Sequence, residues 1–234
     1  MKAFPLLLAI DTCGPSGSVA LGRIPGRDVE VLGQIELAGR TYSATLVSAV
    51  AELLRSARST LDDLDAIVVV NGPGSFTGVR VGVSAAKGLA EGRDIPVVAL
   101  SRLEVLSRKS GVPAAALDAH RGEIYLRLER VSSTARELLV GSEELAAITP
   151  APARVAVCDD GAAAVLASAW PNTQLVQTAA PRACDAIRPG EARLVAGAAV
   201  DLASLDGHYL RRSDAEIFGN DVVHQAAAAK PGNR

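Results

Sequence analysis

The chain has 234 residues, 49% of them hydrophobic, which is enough to bury the core of one large domain or of two lobes of about 100 residues each. Its 24 basic and 26 acidic residues leave a formal net charge of −2, and aromatic residues make up only 3%, so a strongly basic or base-stacking nucleic-acid surface is excluded. No apolar run approaches the roughly 18 residues that span a bilayer, and we predict a soluble globular protein without a membrane partner.

The number and positions of the cysteines and histidines indicate the cellular compartment of the protein and whether it forms disulfides or binds a metal. The chain contains three widely separated cysteines, Cys13, Cys158 and Cys184. This distribution is typical of a reducing environment, so we expect a cytoplasmic protein without a disulfide framework. No metal-ligand spacing occurs among the three histidines, His120, His208 and His224. The short apolar run at the N-terminus lacks the basic region and cleavage site of a signal peptide, and we interpret it as a buried strand.

The first half of the chain changes from strand to helix periodicity. Residues 6–11, 14–22 and 29–37 predict three strands of an antiparallel meander joined by glycine- and proline-containing turns. Apolar positions then recur at helical spacing over residues 42–57, which predicts an amphipathic helix. The wholly apolar segments 66–70 and 96–100 are separated by one predicted helix and followed by another over 101–109. Helix-linked apolar strands of this kind indicate a parallel arrangement covered on both faces.

The second half repeats this pattern in shorter form. Residues 114–130 place an apolar strand, Asp118, a glycine-containing turn and a second strand in the order seen around Asp11, and further strands are predicted near 137–140, 154–159 and 174–178. Helices are predicted over 161–169 and from 190 to about 205. The sequence therefore predicts an α/β, actin-like (ASKHA) fold of two ribonuclease-H-like lobes, 1–110 and a shortened 111–206. A tail, 207–234, follows, and we expect its end to be disordered.

The segment NGPGSFTGVR, residues 71–80, joins a predicted strand to a helix, an arrangement that presents backbone N–H groups to an anion. It fits neither the P-loop nor the dinucleotide-binding pattern, so a tight strand-to-helix turn remains the alternative to a phosphate site. Under the phosphate interpretation, the candidate nucleotide-binding residues are Asp11, Thr12, Gly72, Gly74 and Ser75. For the equivalent Asp118 we favour a turn-capping role.

The helix after this turn carries a face of small residues: Gly78, Gly82, Ala85 and Ala86. Each glycine inside a helix costs about 1 kcal/mol relative to alanine, so two of them indicate that something packs closely against the helix. A partner chain is one possibility, and the lobe's own sheet is the other.

Several stretches together carry a family resemblance: LLLAIDTCGPSGSVALG, the helix 42–57, LDDLDAIVVVNGPGSFTGVRVGVSAAKGLAEG, PVVALSRLEVL and LDAHRGEIY. They resemble the TsaB (YeaZ) family, the bacterial proteins required for N6-threonylcarbamoyl modification of adenosine 37 (t6A37) in tRNAs reading ANN codons. GPGSFTGVRVGVSAAKGLA is the diagnostic part. The resemblance covers nearly the whole chain and implies a non-catalytic, actin-like paralogue of the catalytic subunit TsaD.

The resemblance allows a comparison with the metal site of TsaD. TsaD carries two metal-binding histidines four residues apart after the strand that corresponds to PVVAL, and matching SRLEVL places Arg102 and Leu106 at those positions. Arginine is a permanent cation and leucine has no donor atom, so neither side chain can bind iron or zinc. The resemblance therefore implies no cofactor of the chain's own, with ATP and Mg²⁺ entering only within a complex.

In the resembled family, two helices, here 42–57 and 76–91, pair with the same helices of TsaD to form a four-helix bundle. The predicted partner-facing residues are Tyr42, Leu46, Val50, Leu53, Gly78, Val79, Gly82, Ala85 and Ala86. The usual Arg-x-His-Ser-Glu at the start of the first helix is Arg40-Thr41-Tyr42-Ser43-Ala44 here, so any contacts of that histidine and glutamate are made differently or not at all. Expected partners are TsaD, the ATPase TsaE and, without TsaD, a second copy, with tRNA reached only through the complex.

Two hypotheses for function follow. The first is a scaffold subunit that binds TsaD and supports assembly with TsaE. The second is an independent actin-fold ATPase or phosphotransferase that uses Asp11 and the 72–78 turn for a magnesium nucleotide. Activity only on mixing would favour the first, and ATP turnover by the isolated chain would favour the second, so the sequence leaves open whether the chain is an enzyme by itself.

Overall fold

The computed structural model describes residues 4–39, 41–129 and 135–211. Arg40, His224 and the expected disordered end of the tail lie outside these ranges. Among the described helices, none is long and apolar enough to cross a membrane.

The first lobe is built on a sheet of five strands within the described residues, in the order β3-β2-β1-β4-β5. The strands are β1 (Leu7–Asp11), β2 (Gly17–Arg23), β3 (Glu30–Leu37), β4 (Ala66–Val70) and β5 (Val97–Leu100). β1 pairs antiparallel with β2 and parallel with β4, so the predicted meander and the predicted parallel strands meet at one central strand. Every residue of β1 and β4 is buried, as expected for the wholly apolar β4 and for the four apolar residues that precede Asp11 in β1.

Helices cover both faces of this sheet. One face carries α1 (Tyr42–Ser56) and α2 (Phe76–Glu91), and the other carries α6 (Ala183–Val195). Gly190 of α6 lies against Val68, and Gly82 of α2 faces Ile10, which pairs with Val69. Neighbouring strand residues point to opposite faces, so these contacts place α2 and α6 on opposite sides of the sheet.

The second lobe repeats the first strand for strand. Its sheet of five described strands has the order β8-β7-β6-β9-β10, which is the order of the first sheet with each number raised by five. The strands are β6 (Ala115–Asp118), β7 (Ile124–Leu128), β8 (Arg136–Val140), β9 (Arg154–Val157) and β10 (Gln174–Gln177). The α/β prediction with two related lobes is confirmed. The second sheet has as many strands as the first, whereas α4 (Ser142–Ala147) has 6 residues and its counterpart α1 has 15.

The two lobes exchange helices. α3 (Arg102–Ser110) follows β5 of the first sheet but packs on β6, β7 and β9 of the second, and α6 follows β10 but packs on the first sheet. Leu103 and Leu106 of α3 join the core of the second sheet, and Ile187 of α6 joins the core of the first. α5 (Asp160–Ala169) completes the second lobe. Because each sheet is completed by a helix from the other half, the chain is interlocked at the lobe boundary.

The α6 region differs from the prediction. The predicted helix began at residue 190, after Pro189, and ran to about 205, whereas α6 begins at Ala183, includes Pro189 and ends at Val195. The proline removes one backbone donor. The next residue, Gly190, has no side chain and lets the helix lie directly on Val68. Proline followed by glycine is typical of a helix break. Here the glycine instead allows the helix to pack closely on the sheet, because the helix contributes to the core.

Candidate functional site

A cleft of about 990 Å³ lies between the two lobes. The first lobe contributes the β1–β2 turn, the glycine-rich 71–80 segment and Arg102, and the second contributes the β6–β7 turn and the end of β9. Residues 208–211 form a further part of its wall. Of the predicted nucleotide-binding residues, Gly74 and Ser75 line this cleft, and Asp11, Thr12 and Gly72 lie within two residues of lining positions along the chain.

Asp11 at the end of β1 is paired inside the protein. Its Oδ2 lies 3.5 Å from Nε of Arg102, and both side chains are more than nine-tenths buried. Its Oδ1 accepts a hydrogen bond from the backbone N–H of Cys13 at 2.9 Å. Among the described residues, Asp11 Oδ2 and Arg102 Nε have no hydrogen-bonding partner, so the pair is held by Coulomb attraction without an aligned hydrogen bond.

The charge of Arg102 makes this pair unsuited to a metal-bound nucleotide. Burial works against the charged form, yet the Asp11 carboxylate holds the pKa of the guanidinium above its usual value. A divalent cation at Asp11 would meet this permanent positive charge at close range. The side chains present at Asp11 therefore do not fit a Mg²⁺-nucleotide.

The glycine-rich turn is closed by the chain itself. A Cβ at Gly74 would clash with the carbonyl oxygen of Cys13, and that oxygen accepts a hydrogen bond from Ser75 N at 2.8 Å. The Ser75 hydroxyl in turn accepts from Gly78 N and caps α2. Gly72, with φ +116°, leaves room for the backbone of His208. These contacts form a tight strand-to-helix turn in which Gly72, Gly74 and Ser75 meet neighbouring backbone, and the phosphate site at this turn stays a prediction.

Thr12 and the small-residue face of α2 form one internal contact. Thr12 Oγ1 donates to the carbonyl oxygen of Gly78 at 2.6 Å. A Cβ at Gly78 would clash with the backbone oxygen of Thr12, and one at Gly82 would clash with its side-chain oxygen. Ala86 is fully buried on the same face. The glycines therefore allow α2 to lie against the end of β1, which is the alternative in which this face packs on the lobe's own sheet.

The side chains that were predicted to face a partner point into the core of the chain itself. Most of the predicted residues are buried in the chain's own core: Tyr42, Leu46, Val50, Leu53, Gly78, Val79, Gly82 and Ala86. Ala85 is partly buried. Tyr42 shows the reason most clearly, since its hydroxyl donates to the carbonyl oxygen of Gly14 at 2.8 Å and its ring lies over Gly17. The helical periodicity identified the apolar face correctly, but that face points inward.

The opposite faces of α1 and α2 remain exposed. Val47 on α1 is 58% exposed and Phe76 at the start of α2 is 45% exposed. Small residues continue along both outward faces, with Ala44, Ser48 and Ala51 on α1 and Thr77, Ser84 and Gly88 on α2. A Cβ at Gly88 would meet nothing within 4 Å. Two adjacent helices thus present small residues to solvent, beside the exposed charged residues Glu52, Arg55, Arg80 and Glu91.

The second-lobe counterpart of Asp11 caps a turn, as we favoured. Asp118 Oδ1 accepts from the backbone N–H of His120 at 2.8 Å, and Oδ2 lies 2.9 Å from the ring Nδ1 of the same residue. Asp159 accepts from the backbone N–H of Asp118 and caps α5 through Ala162 N. No group of three or more histidine, cysteine, aspartate or glutamate residues in the described ranges is arranged to hold a metal ion.

Sequence reasoning missed a buried polar cluster around Glu137 of β8. This carboxylate accepts hydrogen bonds from Ser101 Oγ at 2.6 Å and from Arg127 Nη1 at 2.8 Å, and it lies 2.8 Å from His208 Nε2. Burial opposes its ionisation, but hydrogen bonds from His208, Ser101 and Arg127 outweigh this and hold the pKa below its usual value of 4.5. The four residues span more than 100 positions of sequence, and no local motif could have grouped them.

Comparisons with known proteins agree with this architecture. A family model described as TsaD, tRNA N6-adenosine threonylcarbamoyltransferase, matches residues 33–150. The tRNA threonylcarbamoyladenosine biosynthesis protein TsaB of Escherichia coli is 38% identical over 51% of this chain and 52% of its own length. The Bacillus subtilis protein of the same name is 36% identical over 59% of this chain and 61% of its own length. The chain thus spans only about half to three fifths of the length of these curated relatives.

Two further matches extend over most of the chain. An uncharacterized Mycobacterium tuberculosis protein is 33% identical over 90% of this chain and 93% of its own length. The solved structure of YeaZ from Pseudomonas aeruginosa superposes with a TM-score of 0.70 at 26% identity, covering 88% of this chain and 100% of the other. With the duplicated sheets, the glycine-rich turn and these similarities together, the chain belongs to the TsaB (YeaZ) family.

Proposed function

We propose that this chain is the non-catalytic scaffold subunit for t6A37 modification of tRNAs reading ANN codons, acting in the cytoplasm by binding TsaD and supporting assembly with TsaE. The curated TsaB relatives are named as threonylcarbamoyladenosine biosynthesis proteins, which supports the pathway assignment. The observation that carries the non-catalytic part is the buried pair of Asp11 and Arg102. It puts a fixed positive charge where an active actin-like enzyme needs a metal-bound nucleotide.

The side chain of Leu106 supports the same conclusion. It is fully buried in the core beneath the second sheet, and Arg102, four residues earlier, is committed to Asp11. Those are the positions that match the metal-binding histidines of TsaD in the resemblance. We therefore expect no metal or nucleotide chemistry from this chain, and we assign ATP and Mg²⁺ to the assembled complex.

The exposed faces of α1 and α2 are the surface we propose for TsaD. Small side chains such as Ser84 and Gly88 allow another helix to approach closely, and the exposed Val47 supplies apolar area that gains by being covered. The proposal keeps the two helices of the sequence prediction but moves the contact residues to their solvent side. In the absence of TsaD, a second copy of this chain can use the same surface.

An independent ATPase or phosphotransferase is the second candidate, and the volume of the cleft, about 990 Å³, is the observation in its favour. The test is ATP turnover by the isolated chain, with Asp11→Ala as the variant that should abolish it. Turnover at the level of a buffer blank would discard this candidate.

The deciding experiment is tRNA threonylcarbamoylation with purified TsaD, TsaE and threonylcarbamoyl-adenylate, with and without this chain. We expect product only when the chain is present. Product from TsaD and TsaE alone at the same rate would refute the scaffold role, and product from this chain without TsaD would refute its non-catalytic character.

The interface can be tested with a matched pair of variants. Ser84→Trp places a large side chain on the outward face of α2, whereas Ser168→Trp makes the same change on the exposed side of α5. We expect Ser84→Trp to weaken TsaD binding at least tenfold in titration calorimetry and Ser168→Trp to leave it unchanged. Equal affinity of both variants and the parent would show that TsaD binds elsewhere.

A further inference from the structure

Residues 205–211, which we call the strap, run along the first lobe beside the glycine-rich turn. The side-chain amide of Asn71 donates to the carbonyl oxygen of Asp206 at 3.0 Å, and the carbonyl oxygen of Asn71 accepts from His208 N at 2.6 Å. The ring of Tyr209 lies 5.3 Å from the ring of Phe76, at the start of α2. The strap is therefore fixed to the first lobe by two hydrogen bonds with Asn71 and by an aromatic contact.

The same seven residues are also attached to the second lobe. Arg211 Nη2 donates to the carbonyl oxygen of Ala119 at 2.9 Å and to Glu123 Oε2 at 2.6 Å. His208 Nε2 lies 2.8 Å from Glu137 Oε2, on β8. Both attachments pair a charged or titratable side chain with a carboxylate. Hydrogen bonds to an ionised carboxylate are stronger than hydrogen bonds between neutral groups. The strap thus bridges two lobes that also meet through the exchanged helices α3 and α6.

The attachment at Glu137 is the most constrained of these contacts. The Glu137 side chain is 8% exposed, and the oxygen that faces His208 also accepts from the hydroxyl of Ser101, the cap of α3. The other oxygen is held by Arg127. One carboxylate therefore ties the strap, the start of α3 and the second sheet together. Loss of the strap contact would release one of these three connections without removing the carboxylate.

We infer that the strap is a tie which holds the two lobes at their observed separation and thereby restricts access to the cleft between them. His208, Tyr209, Leu210 and Arg211 all line the cleft, so displacement of the strap removes part of the wall as well as the bridge. The interface between two lobes of one chain is in general small enough in area to allow the lobes to move relative to each other. An added connection such as the strap shifts the equilibrium between open and closed arrangements of the lobes. This inference does not depend on the proposed role in tRNA modification.

The chain's own cysteines report on cleft opening. Cys158 lines the cleft and is partly buried, and burial raises the pKa of its thiol from 9.0 to about 11. Cys184 lies on α6 outside the cleft lining and is also partly buried, which makes it an internal reference. The thiolate is the reactive form, so opening that exposes Cys158 and lowers its pKa toward the usual value would accelerate its alkylation at fixed pH, by about tenfold after allowing for the lower nucleophilicity of a less basic thiolate.

The experiment is timed alkylation of the full chain with iodoacetamide, with the modified cysteines quantified by peptide mass spectrometry. The double variant His208→Ala/Arg211→Ala removes both attachments to the second lobe while leaving the Asn71 hydrogen bonds. We expect the Cys158 to Cys184 rate ratio to rise about tenfold. Ser204→Ala, just before the strap, should leave the ratio at the parent value. His208→Gln with Arg211 intact should do the same, because a glutamine amide can donate to Glu137 in place of Nε2.

Two outcomes would overturn the inference. A Cys158 alkylation rate within twofold of the parent in the double variant would mean that the exchanged helices alone hold the cleft closed. Equal acceleration of Cys158 and Cys184 would mean that the strap stabilises the whole fold and has no specific effect on the cleft. Both substituted side chains are about one third exposed, so the double variant is expected to fold.

Discussion

Gly78 and Gly88 lie in the same helix, α2, and alanine substitution should have opposite effects at the two positions. Gly78 is buried against β1, and a Cβ there would clash with the backbone oxygen of Thr12 and lie 3.3 Å from Cε2 of Tyr42. Gly88 faces solvent with nothing within 4 Å. Both substitutions bring the same gain in helix propensity, about 1 kcal/mol, so the difference between them isolates the packing contact.

The size of the destabilisation expected from Gly78→Ala depends on which atoms must move to make room for the new methyl group. The atom that Gly78→Ala would meet belongs to the backbone beside a fully buried strand and cannot turn aside, so an overpacking cost of about 3 kcal/mol is appropriate. Moving the helix also disturbs the hydrogen bond from Thr12 to Gly78, worth about 1 kcal/mol. After the gain in propensity, Gly78→Ala should destabilise the protein by about 3 kcal/mol. Gly88→Ala should stabilise it by up to about 1 kcal/mol.

Urea unfolding followed by circular dichroism measures both. With a slope of about 2–3 kcal/mol per molar, the midpoints of the two variants should differ by more than about 1 M, with the parent between them. Gly78→Ala as stable as the parent would refute the internal packing of this face. It would then restore the interpretation in which the glycine face is free for a partner.

Three further changes test other contacts. Glu137→Gln should destabilise the protein at neutral pH, and because the pKa of Glu137 in the folded protein lies below the usual 4.5, this loss of stability should shrink as the pH falls through that lowered pKa. A difference in urea midpoint that does not change with pH would contradict this prediction. Arg102→Met should cost about 3–5 kcal/mol by leaving Asp11 buried and unpaired. The double variant with Asp11→Asn should recover part of that loss, and no recovery in the same assay would show that the pair is not coupled. Trp170→Phe removes the hydrogen bond from Nε1 to the Leu145 carbonyl and should lower stability by about 2 kcal/mol, which equal midpoints would disprove.

The order of elements could be read from the sequence because it depends on local periodicity. The apolar run 66–70 became β4 at the predicted bounds, and helix periodicity over 42–57 became α1, Tyr42–Ser56. The repeat of an apolar strand, an aspartate and a turn around Asp11 and Asp118 indicated the duplicated lobes. In each case neighbours along the chain carry the signal, since burial on one or both faces dictates the spacing of apolar residues.

The site depended on contacts between distant residues, and these the sequence did not reveal. Asp11 and Thr12 were placed correctly at a strand end, but their partners are Arg102, 91 positions away, and Gly78. A glycine face indicates close approach without saying to what, so the choice between a partner and the lobe's own sheet awaited the position of β1. The sequence also did not reveal the exchange of α3 and α6 between the lobes or the attachments of the strap. These features depend on charge pairing and close packing between residues that are far apart in the chain. Local sequence therefore determined the elements and their apolar faces, whereas only the tertiary structure decided what each face and each charge meets.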